Sequence, residues 1–158
     1  MALKREEETI DEIRIVTVQL PPIPGAKLQA KLMKIAAPAL SGLKGLSESQ
    51  LDKMLHMDLG ALAPVLAGLF SQIDDKLVET LIRETFASSY AVVQDEKGSR
   101  KIELSNLDNV NVVFEGKIGA MYKALLFSMK VNFGDFSGGV FSKLRGASEE
   151  KAPAPESA

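Results

Sequence analysis

Residues 13–20 read Ile-Arg-Ile-Val-Thr-Val-Gln-Leu, and Pro21-Pro22-Ile23-Pro24 follow directly. The first run is dense in β-branched side chains, which suit a pleated surface, so it predicts a strand from Ile13 to Leu20. Pro21, Pro22 and Pro24 end that strand, because proline brings no N–H to a ladder. Beyond them the hydrophobic period changes. Leu28, Leu32, Ile35, Ala36, Ala39, Leu40 and Leu43 recur at spacings of three and four, which predicts a helix from Gly25 to Leu43. Lys27, Lys31 and Lys34 share another face as a solvated stripe, and Pro38 should kink or split the helix by removing one of its hydrogen bonds.

On the N-terminal side, residues 1–12 carry Glu6, Glu7 and Glu8 in a row and read as a flexible acidic leader. On the C-terminal side, Ser47-Glu48-Ser49-Gln50 matches a capping box and predicts a short helix from Glu48 to His56. Asp58 caps a further helix with Leu59, Leu62, Leu66, Leu69, Phe70 and Ile73 as its buried stripe, Pro64 leaving its start open. Asp74 or Asp75 caps the next, with Leu77, Val78, Leu81, Ile82 and Phe86 facing inward. Tyr90–Gln94 and Arg100–Leu104 are β-prone runs around Lys97-Gly98, a hairpin with glycine at positive φ. An isolated hairpin is marginal in water, so this one is expected to pair with the Ile13–Leu20 strand. Ser105 is read as the cap of a helix that holds Leu107, Val110, Val113 and Phe114 and stops at Gly116. The last helix spans Lys117 to Asn132, with Ile118, Tyr122, Leu125, Met129 and Phe133 on one stripe. The expectation is a mainly α (α+β) fold: one compact helical domain over residues 13–145, with an N-terminal strand and one small β-hairpin. Residues 146–158 (GASEEKAPAPESA, counted from Gly146) form a disordered tail.

Composition narrows the function classes. The 158 residues are 46% hydrophobic and 25% charged, enough for one real core. A net charge of −2 lacks the basic excess of a nucleic-acid binder. No cysteine is present, which removes disulfides, thiolate catalysis and the usual structural zinc sites. The N-terminus has no signal-peptide pattern, and the greasiest stretch, Leu59 to Ile73, is too short to span a bilayer. His56 is the sole histidine and reads as a surface residue near a helix C-terminus. Asp74-Asp75 reads as a helix cap and the glutamate run as solvated, because adjacency in sequence does not place two carboxylates across a reacting bond. Gly134–Gly139 lacks the strand and the lysine-serine of a phosphate loop. The reading is therefore of a protein with no catalytic residue, no metal site and no cofactor, one that binds neither nucleic acid nor membrane.

Two stretches resemble a known family. TVQLPPIPGAKLQAKLMKIAAPAL (Thr17 to Leu40) is similar to the start of the tail assembly chaperones of long-tailed phages, and GAMYKALLFSMKVNFGDFSG (Gly119 to Gly138), with its VNFGDF stretch, to their C-terminal part. Their order and spacing extend the resemblance over roughly residues 13 to 140. It implies a non-enzymatic chaperone of the host cell cytoplasm. Such a protein binds the tape measure protein and keeps it soluble until tail tube subunits replace it, and it is absent from the mature virion. It also implies a longer form of the same protein made by ribosomal frameshifting. The alternative is a small structural tail or baseplate protein that stays in the virion. The chain's oligomeric state is left open, with a homo-oligomer among the options.

The client-binding residues are read from chemistry, since the family carries no defined binding motif. Phe133, Phe136 and Phe141 are separated by Gly134, Gly138 and Gly139, a combination that makes a poor interior helix and an adaptable apolar surface. The Leu28, Leu32 and Ile35 helix is the second candidate, presenting anchors at the spacing that helix-in-groove recognition uses. Residues 146–158 lack the apolar content to offset the ~1–2 kcal/mol per residue cost of ordering backbone. Truncation after Arg145 is thus expected to leave the melting temperature nearly unchanged in a calorimetric scan, and a large drop would mean that the tail docks.

Overall fold

A computed structural model describes residues 3–41 and 59–133 of the chain. The predicted strand is present as β2 (Ile13–Val18), and it forms the centre of the sheet together with β3 (Ser89–Asp95). β1 (Arg5–Ile10) flanks β2 and β4 (Gly98–Glu103) flanks β3, giving one four-stranded antiparallel sheet in the order β1-β2-β3-β4. Five helices are described: α1 (Pro22–Ser41), α2 (Leu59–Phe70), α3 (Asp75–Thr85), α4 (Leu107–Val113) and α5 (Ile118–Phe133). The fold is therefore mixed α/β, and the expectation of a mainly helical domain with one strand and one hairpin is wrong.

The error lies in β1. Its charges suggested a leader, but at a sheet edge one flank of the strand faces water, where charged side chains are common. Its burial bears this out: Glu7, Glu8 and Thr9 are exposed, and only Ile10 is buried. β1 and β2 meet in register from Arg5 opposite Val18 to Ile10 opposite Ile13, leaving Asp11 and Glu12 as a two-residue loop. Both loop residues have positive φ, 47° and 72°, the type I′ geometry whose twist matches a right-handed hairpin. Lys117 Nζ donates to the Asp11 carbonyl at 3.4 Å and Lys123 Nζ to its carboxylate at 3.5 Å, tying the turn to α5.

The prolines belong to the helix as much as to the strand end. α1 begins at Pro22, not Gly25, so Pro22 and Pro24 sit in the first turn, where N–H groups have no intrahelical partner. The helix continues through Pro38 to Ser41 without splitting. α2 likewise holds Pro64 internally, with its ring exposed. α3 is capped by Asp74, whose carboxylate accepts from the Leu77 N–H at 2.8 Å. For α4 the cap is Asn106, accepting from Asp108 N–H at 2.9 Å, and not Ser105 as expected. Gly98 (φ 112°) closes the β3–β4 hairpin, and Gly116 (φ 71°) makes the turn into α5. The predicted helix Glu48–His56, with its histidine, and the Asp58 cap lie outside the described residues, as does the 146–158 tail.

α5 is the central helix. One side rests on β1 and β2, and another packs along α2. The apolar stripe anticipated for it accounts for only part of its burial. Ile118 is exposed, whereas Ala120, Ala124 and Ser128 are buried at a spacing of four on a side the stripe did not include. These small side chains let the helix sit close to the sheet. Ser128 Oγ lies 2.9 Å from Thr17 Oγ1 and 3.0 Å from Ser89 Oγ, and those two are 2.8 Å apart. All three hydroxyls are fully buried. In a closed ring each can donate to one neighbour and accept from the other. One turn on, the Asn132 side-chain oxygen accepts the Leu20 N–H at 2.6 Å, and its amide donates to the Ser128 carbonyl at 2.8 Å. Leu20 lies past the end of β2 and just before Pro21, where the chain offers its N–H no ladder partner, so Asn132 supplies one.

Asn132→Ala strands that buried N–H, and an unmet buried donor costs about 1–3 kcal/mol. At this chain length each kcal/mol corresponds to roughly 2–4 °C of Tm. Ser128→Ala leaves Thr17 and Ser89 still paired and is expected to cost less. Denaturation of the two variants checks the order. A Ser128→Ala loss larger than that of Asn132→Ala would mean that the hydroxyl ring, and not the amide, holds α5 in place.

Candidate apolar docking groove

The described residues hold a half-open apolar groove of about 150 Å³ on the helical side of the molecule. α1 contributes Leu32 and Ile35 to its wall, and α2 contributes Leu62, Val65, Leu66, Leu69 and Phe70. Leu81 of α3 and Leu126 and Met129 of α5 complete the lining. The assembly follows from α2 itself. Its sequence LGALAPVLAGLF has no charged residue, so no face of it is adapted to water. Leu66 and Phe70 pack into the core, and Phe70 meets Tyr122 of α5 edge-on at 5.8 Å between ring centroids. Val65, on the groove, remains 46% exposed.

The neighbouring helices are fixed by their own contacts. Lys31 of α1 reaches both carboxylate oxygens of Glu84 on α3, at 2.6 and 2.8 Å. That lysine was read as part of a solvated stripe, and it is instead a half-buried tie between two groove helices. Phe86, following α3, stacks on Phe114, following α4, with centroids 6.2 Å apart.

The residues singled out in the sequence divide into three groups. Leu32 and Ile35 line the groove, Leu32 as a buried member of the core cluster and Ile35 as a partly buried one. Leu28, on the same helix face, is fully buried and belongs to the core. Phe133 is partly buried against that core, while Phe136 and Phe141 lie outside the described residues. The reading from sequence placed Leu62, Leu66 and Leu69 on a buried stripe and did not consider them as binding residues. The available signal was the complete lack of charge over Leu59–Phe70.

The polar chemistry of the site region is sparse. The Thr17–Ser89–Ser128 hydroxyls are sealed between sheet and helix and bond to one another, with no acid or base among their partners. Among the described residues no group of three or more histidine, cysteine, aspartate or glutamate side chains could hold a metal ion. No described helix is long and apolar enough to cross a membrane. What the groove can do is cover apolar surface, worth about 25 cal/mol per Å² removed from water.

The family model described as phage tail assembly chaperone protein, TAC, matches residues 11–146. No curated protein and no solved structure matches the chain. The family match begins at the β1–β2 turn and takes in every groove helix, and on that coverage the chain belongs to the phage tail assembly chaperone family.

Proposed function

We propose that this chaperone binds the tape measure protein during phage tail morphogenesis and keeps it soluble, receiving an amphipathic helix of that client in the groove between α1, α2 and α5. The observation that carries this reading is the groove's wholly apolar wall beside a charge-free helix, with Val65 left exposed. A helical client presents apolar anchors at i, i+3, i+4 and i+7, and a groove of this kind takes such a stripe without demanding a fixed sequence. The action is non-enzymatic and takes place in the host cytoplasm. The chaperone leaves before the virion matures, when tail tube subunits displace it. Phe133, Phe136 and Phe141 are further client-binding residues in this reading, and a frameshifted longer form would carry its extension from the C-terminal end.

Co-expression with the tape measure protein tests the site. Val65→Asp changes an exposed position, so the chaperone is expected to keep its circular dichroism spectrum while soluble tape measure protein falls several-fold. Phe136→Ala with Phe141→Ala forms the second arm. Depletion by the phenylalanine pair alone, with Val65→Asp neutral, would move the site to the C-terminal segment and overturn the groove.

A further inference from the structure

β1 and β4 are the two edges of the sheet, each with a neighbour on one side only among the described strands. Such edges carry a row of unpaired backbone groups. Which residues supply them follows from the alternation of an antiparallel ladder. Gln19 N–H donates to the Lys4 carbonyl, so the even-numbered residues of β1 face β2, and Arg5, Glu7 and Thr9 turn their backbone groups outward. Leu104 N–H donates to the Ser89 carbonyl, so the even-numbered residues of β4 face β3, and Ser99 and Lys101 turn theirs outward, as does Glu103, whose carbonyl already accepts from Asn109 Nδ2 at 2.9 Å.

The two edges differ in sign. β1 reads REEETI and β4 reads GSRKIE. Two β1 edges would bring glutamates together, and two β4 edges would bring Arg100 and Lys101 together. Like charges directly opposite each other destabilise a pair, so each edge repels its own kind. We propose that β1 of one copy pairs with β4 of a second copy, antiparallel and head to tail, so that the sheet continues from chain to chain.

Three features support this pairing. An antiparallel sheet with an even number of strands has its first and last strands running in opposite directions, so a second copy added at the edge in the same sense continues the alternation. One register places Arg5 opposite Glu103, Glu7 opposite Lys101, Glu8 opposite Arg100 and Thr9 opposite Ser99. Three of these are opposite charges and the fourth is a hydroxyl pair, while Glu6 meets Ile102. The same register keeps the faces consistent. Thr17 pairs with Glu6 and bonds to Ser128 of α5, so even-numbered residues of β1 lie on the helix side. Ile102 pairs with Ala91, which neighbours the ring residue Ser89 at two positions along β3, so even-numbered residues of β4 lie there too. Helices of successive copies then fall on one side. The present partners of these residues, Glu7 with Arg14, Lys101 with Glu103, Arg100 with Asp95 and Arg5 with the Tyr90 hydroxyl, are exposed and weakly held, so they exchange at little cost. A head-to-tail contact is heterologous, and it closes into a ring or stays open, unlike a two-fold dimer.

Charge reversal tests the interface in the full-length chain. Sedimentation at low ionic strength is expected to show concentration-dependent association of the native protein, lost at high salt. Glu7→Lys with Glu8→Lys gives two basic edges, and Arg100→Glu with Lys101→Glu gives two acidic ones, so each variant alone should be monomeric. Mixed together, they should associate again. Because the native chain has no cysteine, Glu7→Cys with Lys101→Cys provides a covalent readout. Within one chain these positions are three strand spacings apart, roughly 14 Å, too far to bridge. Oxidation should therefore give a ladder of intermolecular oligomers, and Glu7→Cys with Glu103→Cys, out of register, should not. A native protein that stays monomeric, variants that associate as it does, or equal cross-linking by both cysteine pairs would each overturn the proposal.

Discussion

The side-chain oxygen of Asn132 accepting the Leu20 N–H is the contact on which the arrangement of layers depends. It joins the last turn of α5 to the point where β2 gives way to the prolines of α1. With the hydroxyl ring of Thr17, Ser89 and Ser128 one turn back, it fixes both the height and the rotation of α5 on the sheet. Apolar contacts alone hold a helix on a sheet but allow it to slide or turn. Buried polar groups do not, since any shift leaves donors unmet in a low-dielectric interior. The small residues Ala120 and Ala124 make this close seating sterically open.

With α5 so placed, the groove follows. The sheet occupies one side of the helix, and α2 takes another. α1 leaves the Asn132 contact and runs along the same layer, held to α3 by Lys31 and Glu84. α2 is apolar all round, yet among the described residues it has only enough neighbours to cover part of itself, and Val65 is 46% exposed. The groove is thus built on helices held by their own contacts to the core and to one another.

What the sequence disclosed was local. β-branched density marked Ile13–Val18, the Asp74-Asp75 pair marked the start of α3, and Gly98 marked the β3–β4 hairpin, each through chemistry confined to a few residues. β1 was hidden because edge strands tolerate charge and because its turn is Asp11-Glu12, with no glycine to announce two positive φ values. The sheet-facing side of α5 was hidden for a related reason. Alanine and serine carry little hydrophobic signal, and their burial is decided by strands more than one hundred positions away, as Thr17 and Ser128 illustrate. Of the candidate site, Leu32 and Ile35 were legible from helical spacing. That Leu28 does not reach the groove was not, because all three share one face and only tertiary packing says which of them borders the opening.

In the proposed function a client helix rests on the face of α2 that bears Val65. Photo-cross-linking reads this directly. A benzophenone side chain placed at position 65 of the full-length chaperone, irradiated in cells that also make the tape measure protein, is predicted to give a covalent chaperone–client product. The same group at position 112, where Val112 is equally apolar and 66% exposed on α4 but outside the groove, should not. Cross-linking at 112 with none at 65 would rule out docking on α2.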